Sequence, residues 1–526
     1  MSSITKQTVG NNTYLYESHS FRDENGRPRN IKIKIGKIDR KTGRAIYNGE
    51  YIDRMNEAGT PVSIPETDMT ERVEEKIYEA LDNVKSYGLF YFLEKVAEKI
   101  KLISILQQTI PKYWKEICNL CFYLIASDKS LLYMEDWLEE NYSYPAGKMT
   151  SQRISELLAA FGHKEQCEFY RAWNAVNESD EYMALDITSV SSYSQQILDN
   201  ERGYNRDGEN LSQINLCLLF GEETQLPVYQ TIYSGSIMDV ATFRSTVAEM
   251  EAIKGKKKLV LVMDKGFYGE KNIKKLIENQ CEFLMAVPFS NNWSKEFLKT
   301  EQSKIDRVSN LINTLDSPIR GVSKKIDFYG YKVMAHLFFN PEKEVKHRNY
   351  LYDFVSYLKK LVETGEPLSA CKDDVEKYLL KGKNNSIRIK EDVLKHELET
   401  NDWFLIIGNG KITAQKAYDI YSKKDVVEKA FMKYKNHLGF HRLHVHSDLR
   451  MKNKLFVGFI AMAIIAHIHK VMKEKDLYLK MTMEKLLITL SKINKTTISG
   501  SQIIRPLTRE QREILYTFSV PFPLVG

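Results

Sequence analysis

Three carboxylates in this chain stand where an ionised oxygen is costly to keep. Asp186 lies in the run YMALDITSVSS, with apolar residues before it and small hydroxyl residues after it. Asp264 closes the run LVLVMD and leads into KGFYGEKNI, a loop entering a helix. Glu428 lies in the lysine-rich stretch YSKKDVVEKAFMKYK. A carboxylate inside or at the end of a buried strand has to be paired, protonated or bound to a metal. If the strands carrying Asp186 and Asp264 are neighbours, the two acids converge and repel each other unless a cation sits between them. A third carboxylate from a nearby helix would complete an all-oxygen set of the kind that suits Mg²⁺. Two such ions, about 3.5–4 Å apart, can serve an in-line displacement at phosphorus. Taken singly, a strand-end Asp is also an ordinary helix cap, and that reading stays open here.

The residues around Glu428 bear on the choice. One helix over Tyr421 to Lys435, at roughly 100° per residue, puts Tyr421, Lys424, Glu428 and Lys435 within about 60° of arc. Val426, Val427, Ala430 and Tyr434 then form the packing stripe, and the first four face outward. An exposed face laced by an i,i+4 pair from Lys424 to Glu428 would look the same from this segment alone. The chain has 526 residues and a formal net charge of +7. Residues 411–454 hold 11 Lys or Arg against 4 Asp or Glu, a net +7 that equals the charge of the whole. Charge concentrated in this way favours a polyanionic partner such as nucleic acid. Arg206 and Arg442 are further candidates for contact with it.

Other motifs carry less. Cys118 and Cys121 form a CxxC in EICNLCFYLIA, which reads as an apolar helix, and no second Cys or His pair stands at zinc-finger spacing. Six cysteines in a chain this long form no disulfide framework, so a reducing cytoplasm is expected. The start MSSITKQTVG has no apolar signal core, and the run LFVGFIAMAIIA is too short to span a bilayer, so no membrane is expected. No GxxxxGK[ST] phosphate loop occurs. His437, His441, His444 and His446 cluster without nearby cysteines and are read as phosphate contacts or packing rather than zinc ligands. Thr188, Ser189, Ser191 and Ser192 lack a GxSxG or a partnered base. Asp207 in NRDGEN reads as a turn residue. Phe267, Tyr268 and Trp293 are read chiefly as packing, with stacking on an unpaired base as the alternative.

The elements that must position the acids follow from periodicity. After Glu181 short apolar runs appear at YMALDI, INLCLLF, VYQTIY, LVLVM and CEFLMAV, with the helical pattern DVATFRSTVAEMEAI between the third and fourth. Three strands able to pair antiparallel, a helix, and two more buried strands predict an α/β fold: a mixed sheet flanked by helices. DWFLIIGN is a return strand before the Glu428 helix, and TREQ at Thr508 to Gln511 is a capping box for a last helix. Near the start, TYLYES, NIKIKIG and AIYNGEYID read as a small β meander, and VEEKIYEALDNV opens a helical stretch.

The order of Asp in a first strand, Asp ending a fourth and Glu on a later helix resembles the DDE transposases of bacterial insertion sequences. One branch of that family carries Tyr-x2-Arg-x3-Glu-x6-Lys, and Tyr421, Lys424, Glu428 and Lys435 stand at those spacings, with Lys424 in place of Arg. A lysine is a point charge without the planar fork of an arginine, so its grip on phosphate differs. GYNRDGENLSQINLCLLF and SGSIMDVATF are also similar to stretches of that family. The resemblance implies a ribonuclease H-like core with an inserted β-containing subdomain, and Asp186, Asp264 and Glu428 as catalytic acids binding two Mg²⁺ ions, with Mn²⁺ able to substitute. It implies that Tyr421, Lys424 and Lys435 hold the backbone of double-stranded DNA at the terminal inverted repeats. It further implies joining of 3′ ends to target DNA, by a homodimer in the end complex, in the bacterial cytoplasm at the nucleoid. The expected organisation is a β-rich domain over 1–68, a helical region over 69–178 that is a candidate for DNA binding, core over 179–290, insert over 291–400, core with the Glu helix over 401–470, and a helical region over 471–526. The alternatives are a ribonuclease H-like nuclease without strand transfer and a domesticated protein that binds DNA without cutting it.

Overall fold

The computed structural model describes the chain except for residues 1, 11, 24, 41–42, 61–83, 178–180, 238, 255–258, 315–317, 367–370, 383–385, 437, 441, 499–500 and 524–526. It divides into two compact units, the larger made of residues 87–492 and 507–522. The larger unit is built on a nine-stranded mixed sheet. Its strands in chain order are β1 (Met183–Ser191), β2 (Gln213–Gly221), β3 (Pro227–Ser234), β4 (Val260–Met263), β5 (Glu282–Val287), β6 (Leu311–Ile312), β7 (Ile319–Phe328), β8 (Tyr331–Phe339) and β9 (Trp403–Gly408). Across the sheet they run β6-β7-β8-β9-β5-β4-β1-β2-β3. β1, β2 and β3 pair antiparallel, β4 lies parallel to β1, and β5 lies parallel to β4. The helices Asp239–Lys254 and Glu270–Glu278 supply the two connections that parallel pairing requires. Every residue of β2 is buried and eight of the nine in β1, as their continuous apolar runs predict for strands covered on both faces.

Three helices follow β9: α1 (Ala414–Ser422), α2 (Asp425–Asn436) and α3 (Asp448–Glu474). α3 carries the apolar run Leu455–Ala466, buried throughout its length within the protein, in keeping with its reading as a core helix. The helical region before the sheet packs against it. The rings of Phe169 and Tyr170 meet Phe456 edge-on at 5.0 and 5.8 Å, and the Cys121 thiol faces the Val457 carbonyl oxygen at 3.5 Å. Asn453 is buried with its polar atoms satisfied, donating to Leu158 and Phe161 carbonyls and accepting from Gln166. Cys118 and Cys121 are free and fully buried, and burial pushes both thiols up, so they behave as core residues.

Three expectations change on the larger scale. The hairpin of β7 and β8 pairs with β9 along its length, so it belongs to the main sheet and not to a separate insert. What stands between β8 and β9 is mostly helical, with a cluster around Leu351, Val355 and Leu358 and a small ribbon of Leu379–Lys381 with Ile387–Ile389. AIYNGEYID is not one strand: Asn48 caps a helix over Gly49–Glu57, leaving a strand of Ala45–Tyr47. The C-terminal region is not wholly helical, because Asn494–Ile498 and Ser501–Ile504 form a hairpin that pairs with Lys85–Ser86. That pairing spans some four hundred positions in sequence and leaves no local periodicity to read.

The smaller unit comprises residues 1–86, 493–506 and 523–526. Its four-stranded antiparallel sheet includes Ser2–Val9, which sequence reading did not expect as a strand, paired with Asn12–Arg22. Nearly all of the helix expected from VEEKIYEALDNV lies outside the described residues. The capping box at Thr508 and Gln511 is present as expected.

Candidate active site

β1 and β4 are adjacent and parallel, with Leu185 opposite Met263. The next residue along each strand path is an aspartate, so Asp186 and Asp264 emerge side by side. Asp264 also caps the short turn Lys265–Phe267 through the Lys265 N–H, so the capping role and the convergence coexist. Asp186 accepts the Ile187 N–H at 2.9 Å and is 19% exposed at its side chain. Burial pushes its carboxyl up to about 6; Lys424, the Ile187 N–H and Arg206 work against that rise, while Asp264 adds to it. An acid already hard to ionise beside a second acid is a site short of positive charge.

Lys424 supplies one such charge. Its ammonium lies 2.9 Å from Glu428 Oε1 and 4.0 Å from Asp186 Oδ2, and the residue is only 5% exposed. Burial disfavours the ammonium, yet Asp186, the Glu428 hydrogen bond and Asp264 together hold it above its ordinary range. Glu428 itself projects from α2 with 60% of its side chain exposed. Tyr421 packs beside Phe404, and its phenol is pushed up by burial and then by Asp264, Glu428 and Asp186. All three acids therefore act on one tyrosine and one lysine.

The geometry revises the reading of a single outward helix face. The chain turns at Lys423 and Lys424, so Tyr421 lies in the last turn of α1 and Glu428 belongs to α2. Val427 and Ala430 are buried as the packing stripe requires and Val426 is half-buried, but Lys424 and Lys435 are buried too. Lys435 donates to both oxygens of Asp207 at 2.8 and 2.6 Å. Arg442 pairs with Glu209 and lies over the Tyr193 ring at 5.4 Å. Arg206 is anchored through its backbone N–H to Ser189 Oγ, and its charge lies within reach of Asp186. The loop between β1 and β2 thus holds two of the cations that follow Glu428, Lys435 and Arg442. Asp207, which reads in sequence as a turn residue, is a partner of the site, and nothing in its local pattern signals that.

The remaining candidates have structural places. Ser189 and Ser191 brace the same loop through Tyr204 and Glu209. Phe267 is 1% exposed against Phe243, in the core, where it cannot stack on a base. Tyr268 accepts the Trp293 indole N–H at 2.7 Å. His444 and His446 are exposed at one cavity, and His437 and His441 lie outside the described residues. Among the described residues no group of three Asp, Glu, His or Cys side chains stands arranged to hold a metal ion, and Glu428 accepts from Lys424. The donor set is nonetheless all carboxylate oxygen with surplus negative charge, which is the chemistry a hard divalent cation fits.

Residues 178–464, more than half of the chain, match the family model described as "Transposase DDE domain". No curated protein matches. Among solved structures the chain is similar to the piggyBac transposase in a synaptic complex with hairpin DNA, at 12% identity and a TM-score of 0.30. That match covers 66% of this chain and 58% of the other, so the chain spans little more than half of that protein's length.

Proposed function

Because the chain belongs to the DDE transposase family, in which catalysis depends on a divalent metal ion, we propose that it cuts DNA at transposon ends and joins the 3′ ends to target DNA. The observation that supports this best is the register of β1 and β4, which sets Asp186 beside Asp264, with Lys424 linking Asp186 to Glu428. The three antiparallel strands followed by two parallel ones favour the ribonuclease H-like reading of the core.

In this proposal Asp186, Asp264 and Glu428 hold two Mg²⁺ ions, with Mn²⁺ as a substitute. Such ions, when bound, activate the attacking hydroxyl and stabilise the leaving oxygen. The protein's own part is to hold the acids in place and to supply positive charge beside them. Lys424 neutralises part of the repulsion between Asp186 and Glu428 and is freed to meet a phosphate oxygen if Glu428 turns to a metal. Tyr421, Lys435, Arg206 and Arg442 border the same region and would position the backbone of double-stranded DNA at the terminal repeats and the target. A homodimer pairing two ends, in the bacterial cytoplasm, completes the proposal.

The test uses the intact chain and end DNA with Mg²⁺. Asp264→Asn should abolish cleavage and leave DNA affinity within about twofold, since one neutralised acid changes little of the phosphate contact. Equal loss of both would make Asp264 a structural residue. Supplying a pre-cut 3′ end separates the transposase from a nuclease of the same fold, because a nuclease joins nothing.

A further inference from the structure

Lys454, on α3, is a buried ammonium without an acid. The residue is 7% exposed; its Nζ donates to the Leu443 carbonyl oxygen at 2.6 Å and lies 5.7 Å from the centre of the Phe440 ring. Among the described residues no carboxylate is paired with it, and burial alone pushes it down to about 8, so it is still mostly charged at neutral pH. A buried cation in that state carries an unrecovered desolvation cost that a bound anion would relieve.

A cavity of about 440 Å³ opens beside it. Lys129, His444, His446 and Arg450 join Lys454 on its wall, and Asp128, itself exposed, is the single carboxylate among the described lining residues. Arg450 is fixed there by donating to the Ser155 carbonyl oxygen at 3.1 Å and to Ser447 Oγ at 3.3 Å. His444 is held in the left-handed backbone region at φ +49°, a conformation that the surrounding structure must impose. The volume exceeds that of a lone phosphate and admits one with its attached sugar. The cavity joins the helical region around 124–158, which the acid site does not use, to the segment that follows α2, which also carries Arg442.

We propose that this cavity is a binding site for a phosphate group, taken from the backbone of a DNA strand, with Lys454 and Arg450 as its principal cations and His446 at its rim. The assignment to DNA rests on the transposase reading; the assignment to phosphate does not. Phosphate chemistry is favoured over a carboxylate ligand by the number of N–H donors that Lys454, Arg450 and His446 bring to one volume, which suits an anion with more acceptor oxygens than a carboxylate.

Two measurements on the full chain, neither using cleavage, test it. In thermal unfolding, inorganic phosphate should raise Tm by about 3 °C over sodium chloride at equal ionic strength, because only the folded state offers the site. Lys454→Met should remove that increment and leave the starting Tm nearly unchanged, the relief of a buried charge that has no acid offsetting the hydrogen bond lost to the Leu443 carbonyl. His446→Gln, at an exposed position that cannot upset folding, should halve the increment or better. In titrations of a duplex oligonucleotide against NaCl, Lys454→Met should weaken binding several-fold and reduce the salt slope by about 1. Absence of a phosphate-specific rise in the unaltered protein, or its survival in Lys454→Met, would overturn the site. Loss of the phosphate response with unchanged DNA binding would overturn the DNA source and leave free phosphate as the occupant. Failure of Asp264→Asn to stop cleavage would strike the transposase reading and leave these results standing.

Discussion

Glu181 and Asp186 lie five residues apart on the same path through the protein, the first buried and the second mostly so, yet they are treated in opposite ways. Glu181 accepts the Glu223 N–H, the Thr224 N–H at 2.8 Å and the Thr224 hydroxyl at 2.6 Å. It closes the turn between β2 and β3, and the packing is tight: a Cβ on Gly221 would come within 2.3 Å of Glu181 Oε1. Asp186 receives one backbone N–H, a lysine at 4.0 Å and another acid as neighbour. The first carboxylate is spent on structure. The second is left short of donors, and an under-satisfied acid is one that can still take a ligand. Burial alone therefore does not mark a candidate functional acid; a shortage of donors around a mostly buried carboxylate is the better sign.

Substitution at the two positions should separate these roles. The largest effect expected is on chemistry: Asp186→Asn should lower end cleavage by on the order of a thousandfold or more, whereas Glu181→Gln should leave cleavage within a few-fold in whatever fraction stays folded. Comparable losses at both would erase the distinction. Next in size is stability. Glu181→Ala strands three donors and should cost about 3 kcal/mol, read as a fall in the urea midpoint.

Asp186→Asn should act in the other direction. The Asp186 carboxyl is raised to about 6 in the folded chain against an ordinary 3.8. A raised acid costs stability above its folded value, where both states are ionised, and costs nothing below the unfolded value, where both are protonated. The amide should therefore stabilise the metal-free protein by about 2 kcal/mol at pH 8, with the gain fading between pH 6 and pH 4. Unfolding in EDTA across that range is the measurement. A gain that does not change with pH would show that the amide stabilises through packing and not through the lost charge.

Much of this was legible in the residues themselves. Asp186 and Asp264 interrupt or end apolar runs, so their cost showed without a structure, and the fold class followed from the order of those runs. The bend at Lys423–Lys424 was not legible, because no Gly or Pro marks it and the helical period continues through it, while the packing of Tyr421 beside Phe404 is a tertiary contact that no local pattern records. Asp207 and Glu209 were hidden for a different reason. Their partners, Lys435 and Arg442, stand 228 and 233 positions away, and turn chemistry accounted for the local pattern fully. The hairpin at 494–504 was lost in the same way, to a partner strand of two residues.

The Asp207–Lys435 pair lies between the two extremes, and it yields the smallest expected effect. Lys435 is 8% exposed at its side chain and Asp207 33%, so the pair is half-screened. Breaking it by Asp207→Asn should cost about 1 kcal/mol of stability, more than a surface pair and less than a buried one. If Lys435 meets a DNA phosphate, it must exchange Asp207 for that phosphate, so Asp207→Asn should tighten binding of end DNA about twofold at low salt while Lys435→Ala weakens it. The double variant should then bind like Lys435→Ala alone, because the acid acts only through the lysine. Weaker binding in Asp207→Asn, matching Lys435→Ala, would place the pair with Glu181: an acid that holds its partner in position and is not displaced by substrate.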